Sequence, residues 1–257
     1  MTTRERVGSI SFSVMRLDEA VETVFAAAQE LSDPSASTGT AIHFCNAYNV
    51  AIARSNADYR QVIERGDYVF SDGVPITWVG KRLRPDLAGT WERVYGPDVM
   101  AAVLQGSGEQ GPKHYLLGGS PDVLTALQAS IARHFPAAQI VGGESPAFRA
   151  PTDTELAERD ERIIESGANI VWVGLGTPKQ DYEVARLASA LPVVAIAVGA
   201  AFDFLAGTKP QAPVWMQRSG TEWLFRFASE PRRLTSRYLW GNSVFAWEAA
   251  RTLRGKA

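Results

Sequence analysis

Short apolar runs alternate with longer stretches patterned for helix along most of this chain, and the alternation predicts a fold class before any single residue is considered. The clearest run is Ile170-Val171-Trp172-Val173, continuous, rich in β-branched residues and bounded by turn residues, as a strand buried on both faces of a parallel sheet should be. It leads into Gly174-Leu175-Gly176-Thr177-Pro178-Lys179 and then into a helical pattern over 181–190. Runs at 41–44, 68–70, 114–117, from 140 and at 193–198 repeat the theme, with helical patterns over 17–31, 50–54, 59–65, 76–83, 97–105, 121–135 and 152–166. A short alternating strand stands at 10–14. Strands interleaved with helices predict an α/β, Rossmann-like fold, a mostly parallel sheet with helices on both faces. Near residue 207 the alternation stops. Helical stretches at 221–228 and from Pro231 onward divide the chain into an α/β domain, 1–207, and a helical C-terminal appendage, 208–257.

In an open parallel sheet, ligands sit beyond the C-terminal ends of the strands. The run 41–44 delivers Cys45-Asn46-Ala47-Tyr48-Asn49 to such an end, and 68–70 delivers Ser71-Asp72-Gly73. A carboxylate there is placed to act as a base, although Asp-Gly is equally a turn and Asp equally a helix cap. Gly118-Gly119-Ser120 and the stretch from Gly174 to Lys179 follow strands and open helices. Glycines there let a ligand approach the backbone, Pro178 presets the first helical turn, free N–H groups favour an anion and Lys179 adds a charge. An ordinary βα turn without a ligand fits the same residues. The dinucleotide fingerprint is incomplete, because Lys179 stands where its third glycine belongs, and no Walker lysine-serine pair occurs. Hydride transfer and ATP hydrolysis therefore lose ground to a nucleotide-sugar enzyme.

Composition narrows the picture further. With 257 residues, 46% of them hydrophobic, the chain is long enough for a full core. Its single cysteine, Cys45, forbids an internal disulfide and reads as a small buried residue, while His43, His114 and His134 lack metal-ligand spacing, so no metal is expected. No run reaches the ~20 apolar residues of a membrane span, and the N-terminal residues Met-Thr-Thr-Arg-Glu-Arg lack a signal peptide's apolar core, which points to the cytoplasm. The net charge of −2 hides an asymmetry: residues 215–257 hold eight Lys/Arg against three Asp/Glu, and residues 1–214 hold 18 against 25. The basic segment also carries Trp215, Trp223, Trp240 and Trp247, a composition that suits a membrane surface or a nucleic acid. Arg233 and Arg237 fall one turn apart on one face of it. Aromatics packed on the sheet with the arginines in solvent is the plainer alternative.

Several ordered motifs now converge. Asn46-Ala47, Asp72-Gly73, Glu92-Arg93-Val94 with Gly96, Leu117-Gly118-Gly119, Val173-Gly174-Leu175-Gly176 with Pro178-Lys179-Gln180, and Phe202-Asp203-Phe204 come first. Ala212-Pro213 with Trp215-Met216-Gln217, Glu222-Trp223-Leu224 with Arg226, and Glu230-Pro231 with Arg233, Arg237 and Tyr238 follow. Over nearly its whole length the sequence resembles the WecG/TagA/CpsF glycosyltransferases, glycosyltransferase family 26.

That resemblance implies transfer of a sugar from a UDP-sugar to a polyprenyl-linked saccharide at the inner face of the cell membrane, with inversion, without a metal and with no cofactor. It implies peripheral attachment through the appendage, which also closes the active site; no nucleic-acid partner is expected, and a homo-oligomer is compatible with the sequence. By resemblance Asp72 is the general base, and Asn46 and Gln180 line the catalytic pocket. Substrate contacts fall to Arg93, Gly118, Gly119, Gly174, Gly176, Pro178 and Lys179, and to Arg226, Arg233 and Arg237 of the appendage. The chain departs from the family at Phe44, where a threonine is frequent. Chemistry supports these roles independently: inverting transfer needs a base for the acceptor hydroxyl, and a departing diphosphate without a metal needs N–H groups and cations. The competing reading is a non-catalytic nucleotide-sugar or nucleic-acid binding module using the same loops and basic segment.

Overall fold

A computed structural model describes residues 2–32, 37–229 and 231–255, apart from the side chains of Pro231, Arg232, Arg233, Ser236, Arg237 and Tyr238. The chain opens with β1 (Arg4–Val7), β2 (Ile10–Ser13), α1 (Leu17–Glu30), β3 (Thr40–Cys45), α2 (Ala47–Ser55) and α3 (Ala57–Arg65). Next come β4 (Tyr68–Ser71), α4 (Val74–Leu83), α5 (Gly96–Gly106), β5 (Lys113–Gly118), α6 (Pro121–His134), β6 (Gln139–Glu144) and α7 (Asp153–Ser166). Then β7 (Ile170–Gly174), α8 (Lys179–Ala190), β8 (Val194–Ala197), α9 (Ala201–Leu205), α10 (Val214–Arg218), α11 (Glu222–Ser229) and α12 (Pro231–Arg254) complete it. The interleaved runs form a parallel sheet of six strands among the described residues, ordered β4-β3-β8-β7-β5-β6. The Rossmann-like α/β expectation holds. The alternating N-terminal strand belongs elsewhere, however: β2 pairs antiparallel with β1, which the sequence pattern did not single out, in a two-stranded ribbon.

The chain falls into two compact units, and β3 runs through both. The larger holds Ala20–His43 and Gly96–Pro210. Here Ile42 faces Ile196, Trp172 faces both Ile196 and Leu116, and β5 carries β6 beyond it with a register shift between His114 and Tyr115. Helix α8 buries Val184, Leu187 and Ala188, spaced for one face, against Val171, Val173, Ala195 and Ala197. Two of the three histidines are structural in this unit. Trp172 Nε1–H donates to His114 Nδ1 at 3.2 Å, so the ring carries its proton on Nε2, 2.9 Å from Ser107 Oγ. Burial lowers the His114 pKa to about 4, and the ring is neutral. His43, fully buried, meets Asp181 through Nδ1 at 3.1 Å.

The other unit gathers Met1–Glu19, Phe44–Tyr95 and Gln211–Ala257. Its core joins Val7, Ile10 and Phe12 of the ribbon to Cys45, Val50, Tyr59, Ile63, Ile76 and Trp91, and Phe245 and Ala249 of α12 complete it. Helix α12 is fixed at this end by Glu248, fully buried, which accepts from Ser9 Oγ at 2.7 Å and pairs with Arg54. The Arg54 guanidinium in turn lies 3.8 Å from the centroid of the Trp247 ring. Residues far into the C-terminal segment are therefore core residues, and the buried carboxylate is hydrogen-bonded and ion-paired, as burial requires. Cys45 is buried as expected.

Candidate active site

The Phe44–Tyr95 and Gln211–Ala257 segments enclose a cleft of about 660 Å³, its open mouth included, and Asp72 and Asn46 both line it. Strand β4 ends at Ser71, the Asp72 N–H donates to Cys45 O at 3.0 Å, and Gly73 caps α4 with Pro75 in its first turn. A Cβ on Gly73 would stand 3.3 Å from Asn46 Cβ, so glycine lets the two strand-end loops close up. Asn46 is the N-cap of α2, one turn earlier than the helical pattern begins. Its Oδ1 accepts from Tyr48 N–H at 3.0 Å, and Asn49 Oδ1 accepts from Asn46 N–H at 3.0 Å, a reciprocal box. Asn49 completes its own bonding by donating to Tyr59 Oη at 2.8 Å. With Oδ1 held by the cap, the Nδ2 donors of Asn46, which lines the cleft, are left open.

Arg93 braces this site. Its Nε donates to Asp72 O at 2.7 Å, Nη1 to Gln217 O at 3.3 Å and Nη2 to Glu222 Oε2 at 2.5 Å. The guanidinium also lies 3.8 Å from the centroid of the Tyr95 ring, whose hydroxyl donates to Glu222 Oε1 at 2.8 Å. Burial pulls the Arg93 pKa down, yet the charges of Asp72 and Glu222 outweigh it and leave the value raised. Burial, and then Glu222 and Asp72, push the Tyr95 phenol up, so it stays protonated and donates. One arginine thus ties the backbone of Asp72 to the end of α10 and the start of α11. Arg226, four residues after Glu222 on α11, lines the same cleft.

Of the residues singled out in the sequence, the cleft brings together Asp72, Asn46, Arg93 and Arg226. The Arg233 and Arg237 side chains lie outside the described residues. Phe44 is buried with its ring centroid 5.3 Å from that of Phe70, so the residue standing where threonine is frequent is a core residue. No role had been assigned to Glu222, Tyr95, Gln217 or Asn242 of this site, although Gln217 and Glu222 stand in the motifs that carry the resemblance. Glu222 also carried a local signal, its spacing from Arg226 on one helix face.

The larger unit holds Gln180 and the glycine-rich loops. Gly119 N–H donates to Gly174 O at 3.2 Å, and a Cβ on Gly118 would stand 2.5 Å from that same oxygen. A Cβ on Gly174 would stand 2.7 Å from Phe202. Gly118 is required by the close approach of two backbones, and Gly174 by the Phe202 ring. Gly176, at φ +77°, donates its N–H to Gln180 Oε1 at 3.0 Å, so one amide expected to be free is engaged. Pro178 follows a cis peptide and is the N-cap of α8, one position before its predicted place in the first turn. Lys179 Nζ lies 4.6 Å from the centroid of the Phe148 ring. Among the described residues no group of three His, Cys, Asp or Glu is placed to hold a metal ion.

The model of the Glycosyl transferase WecG/TagA/CpsF family matches residues 5–257. The chain belongs to this family. It is a glycosyltransferase of cell-surface polysaccharide synthesis, and the match runs through both compact units. For a WecG/TagA/CpsF enzyme the cleft has the elements sugar chemistry needs: a carboxylate, carboxamide donors and a braced cation.

Proposed function

We propose that this WecG/TagA/CpsF enzyme is an inverting, metal-independent hexosyltransferase that moves a sugar from a UDP-sugar to a polyprenyl-diphosphate-linked saccharide. The observation that carries the reading is the Asp72 carboxylate lining an open cleft beside the Asn46 amide donors, with Arg93 holding its backbone. Asp72 takes the proton from an acceptor hydroxyl as its oxygen attacks the anomeric carbon. The bond from that carbon to the UDP oxygen breaks on the opposite side, so one displacement inverts the configuration and releases UDP. Asn46 orients the sugar, and Gln180 serves the same reaction. The charge on departing UDP is met by Lys179 beside Pro178 and by Arg226, Arg233 and Arg237, with Gly118, Gly119, Gly174 and Gly176 letting the diphosphate approach the backbone. No cofactor takes part in this scheme.

Residues 208–257 attach the enzyme to the cytoplasmic face of the membrane and close over the substrate. Supporting this are the exposed Trp215, Leu239, Trp240 and Trp247 and the basic character of the segment, in a chain where no helix of the described residues is long and apolar enough to cross a membrane. The test is UDP release from a panel of UDP-sugars on vesicles containing a polyprenyl-linked saccharide, in EDTA. Release is expected with one donor and only when the acceptor is present. Nucleotide-sugar binding without release in any combination would leave a binding module, and activity lost in EDTA and restored by Mg²⁺ would overturn metal independence.

A further inference from the structure

Helix α12 contains a local contradiction. Gly241 and Asn242 stand in the interior of a 24-residue helix, where together they cost about 1.5 kcal/mol against two alanines. Where a sequence breaks a local rule inside an otherwise consistent element, a compensating role is expected. Gly241 has a packing reason: it is buried, and a Cβ there would stand 3.0 Å from Tyr48 Cδ2, so glycine lets α12 lie close against α2. Tyr48 secures the contact edge-on to Trp240, ring centroids 6.1 Å apart.

Asn242 has no such reason. It is half-buried, it lines the Asp72 cleft, and its carboxamide makes no hydrogen bond to any described residue. The asparagines nearby that lie off the cleft are bonded, Asn49 through both ends of its amide and Asn56 as the cap of α3. The helix that carries Asn242 is not loose, because Phe245 and Glu248, one to two turns on, are buried in the core. The cleft is therefore lined by two amides with open hydrogen-bonding groups, Nδ2 of Asn46 and the whole carboxamide of Asn242, the second carried on an anchored helix.

We propose that Asn242 is a sugar-recognition residue, pairing with Asn46 to read the hydroxyl or acetamido groups of a hexose beside Asp72. A carboxamide donates and accepts at once, and so does a sugar hydroxyl, so the two match without introducing a charge. An ionic group would leave one end of each amide unmatched. The ring read belongs to the donor or to the acceptor, and the chemistry is the same for both. The role rests on the glycosyl-transfer reading above only where turnover is the readout.

The experiment compares full-length wild type with Asn242→Ala and Asn242→Gln in steady-state kinetics for donor and acceptor. It adds saturation-transfer NMR with the free UDP-sugars and free saccharides. Alanine favours helix, so Asn242→Ala is expected to melt no lower than wild type. Its KM is expected to rise about three- to tenfold for one substrate, the loss of a neutral hydrogen bond, with kcat moving less. The substrate affected identifies which sugar is read, and discrimination between epimers of that sugar should shrink. KM values and epimer ratios within twofold of wild type for both substrates would overturn the proposal and leave glycosyl transfer standing. Sugar binding that depends on Asn242 in an enzyme showing no turnover would support the proposal while removing the transfer reading. No saccharide or UDP-sugar binding by wild type would overturn it as well.

Discussion

The Asp72 cleft and the glycine-rich loops are both built at strand ends, and they use polar groups in opposite ways. In the loops, Gly118 packs on Gly174 O, Gly174 on Phe202, and the Gly176 N–H is taken by Gln180. Residue types that suggest a phosphate cradle are there first to let a backbone and a ring pack close. In the cleft the backbone is equally secured, by Arg93 and the α2 capping box, but the Asn46 Nδ2 and the Asn242 carboxamide are left open. A glycine motif alone does not separate close packing from ligand approach, whereas an open amide in a fully bonded neighbourhood points to a ligand.

The comparison predicts different failures in the two regions. Asp72→Asn should lower turnover by about 100-fold or more while calorimetry finds donor binding near wild type, since a carboxamide of the same shape replaces the base. Unchanged turnover would remove Asp72 from the mechanism. Gly118→Ala should act oppositely, on the fold: φ is +131° and the added Cβ meets a carbonyl oxygen, so urea unfolding should show about 3 kcal/mol lost. A melting curve like that of wild type would show that the loop yields and that its packing does not require glycine.

Glu222→Gln should fall between them. The Arg93–Glu222 pair is mostly buried, with side chains 18% and 12% exposed, so neutralising it should cost about 1–2 kcal/mol. Turnover should fall about tenfold with little change in donor KM, because Asp72 loses part of its brace. A change confined to KM would mean that Glu222 meets substrate directly. The smallest effect at neutral pH comes from His114. Its folded pKa, about 4, lies below the unfolded value, so the stability it contributes is fully present above pH ~6.5 and is lost as pH falls toward 4. His114→Gln should flatten that limb of the stability curve, and an unaltered limb would place its origin elsewhere.

The sheet was legible because parallel strands buried on both faces leave uninterrupted apolar runs, as at Ile170-Val171-Trp172-Val173. Asn46 and Asp72 were legible from their places just beyond such runs. The ribbon of β1 and β2 was not, since four-residue strands alternate alike whether they pair antiparallel or join a parallel sheet. Asn242 was beyond periodicity, and the spacing of Glu222 from Arg226 marks a shared helix face but not its pairing with Arg93. Arg93 and Glu222 are 129 residues apart, and the Asn46 and Asn242 segments meet only because Gly241 admits Tyr48 and Glu248 anchors α12. Those contacts depend on tertiary packing that no local pattern encodes.

If Asp72 acts as a base in a single displacement, the configuration of the new linkage is its most direct signature. Proton NMR of the product from an α-linked UDP-sugar, taken early enough to precede any anomerisation, should show a β linkage from wild type and negligible product from Asp72→Asn. An α linkage from wild type would require a covalent intermediate or front-side attack, and would contradict the account.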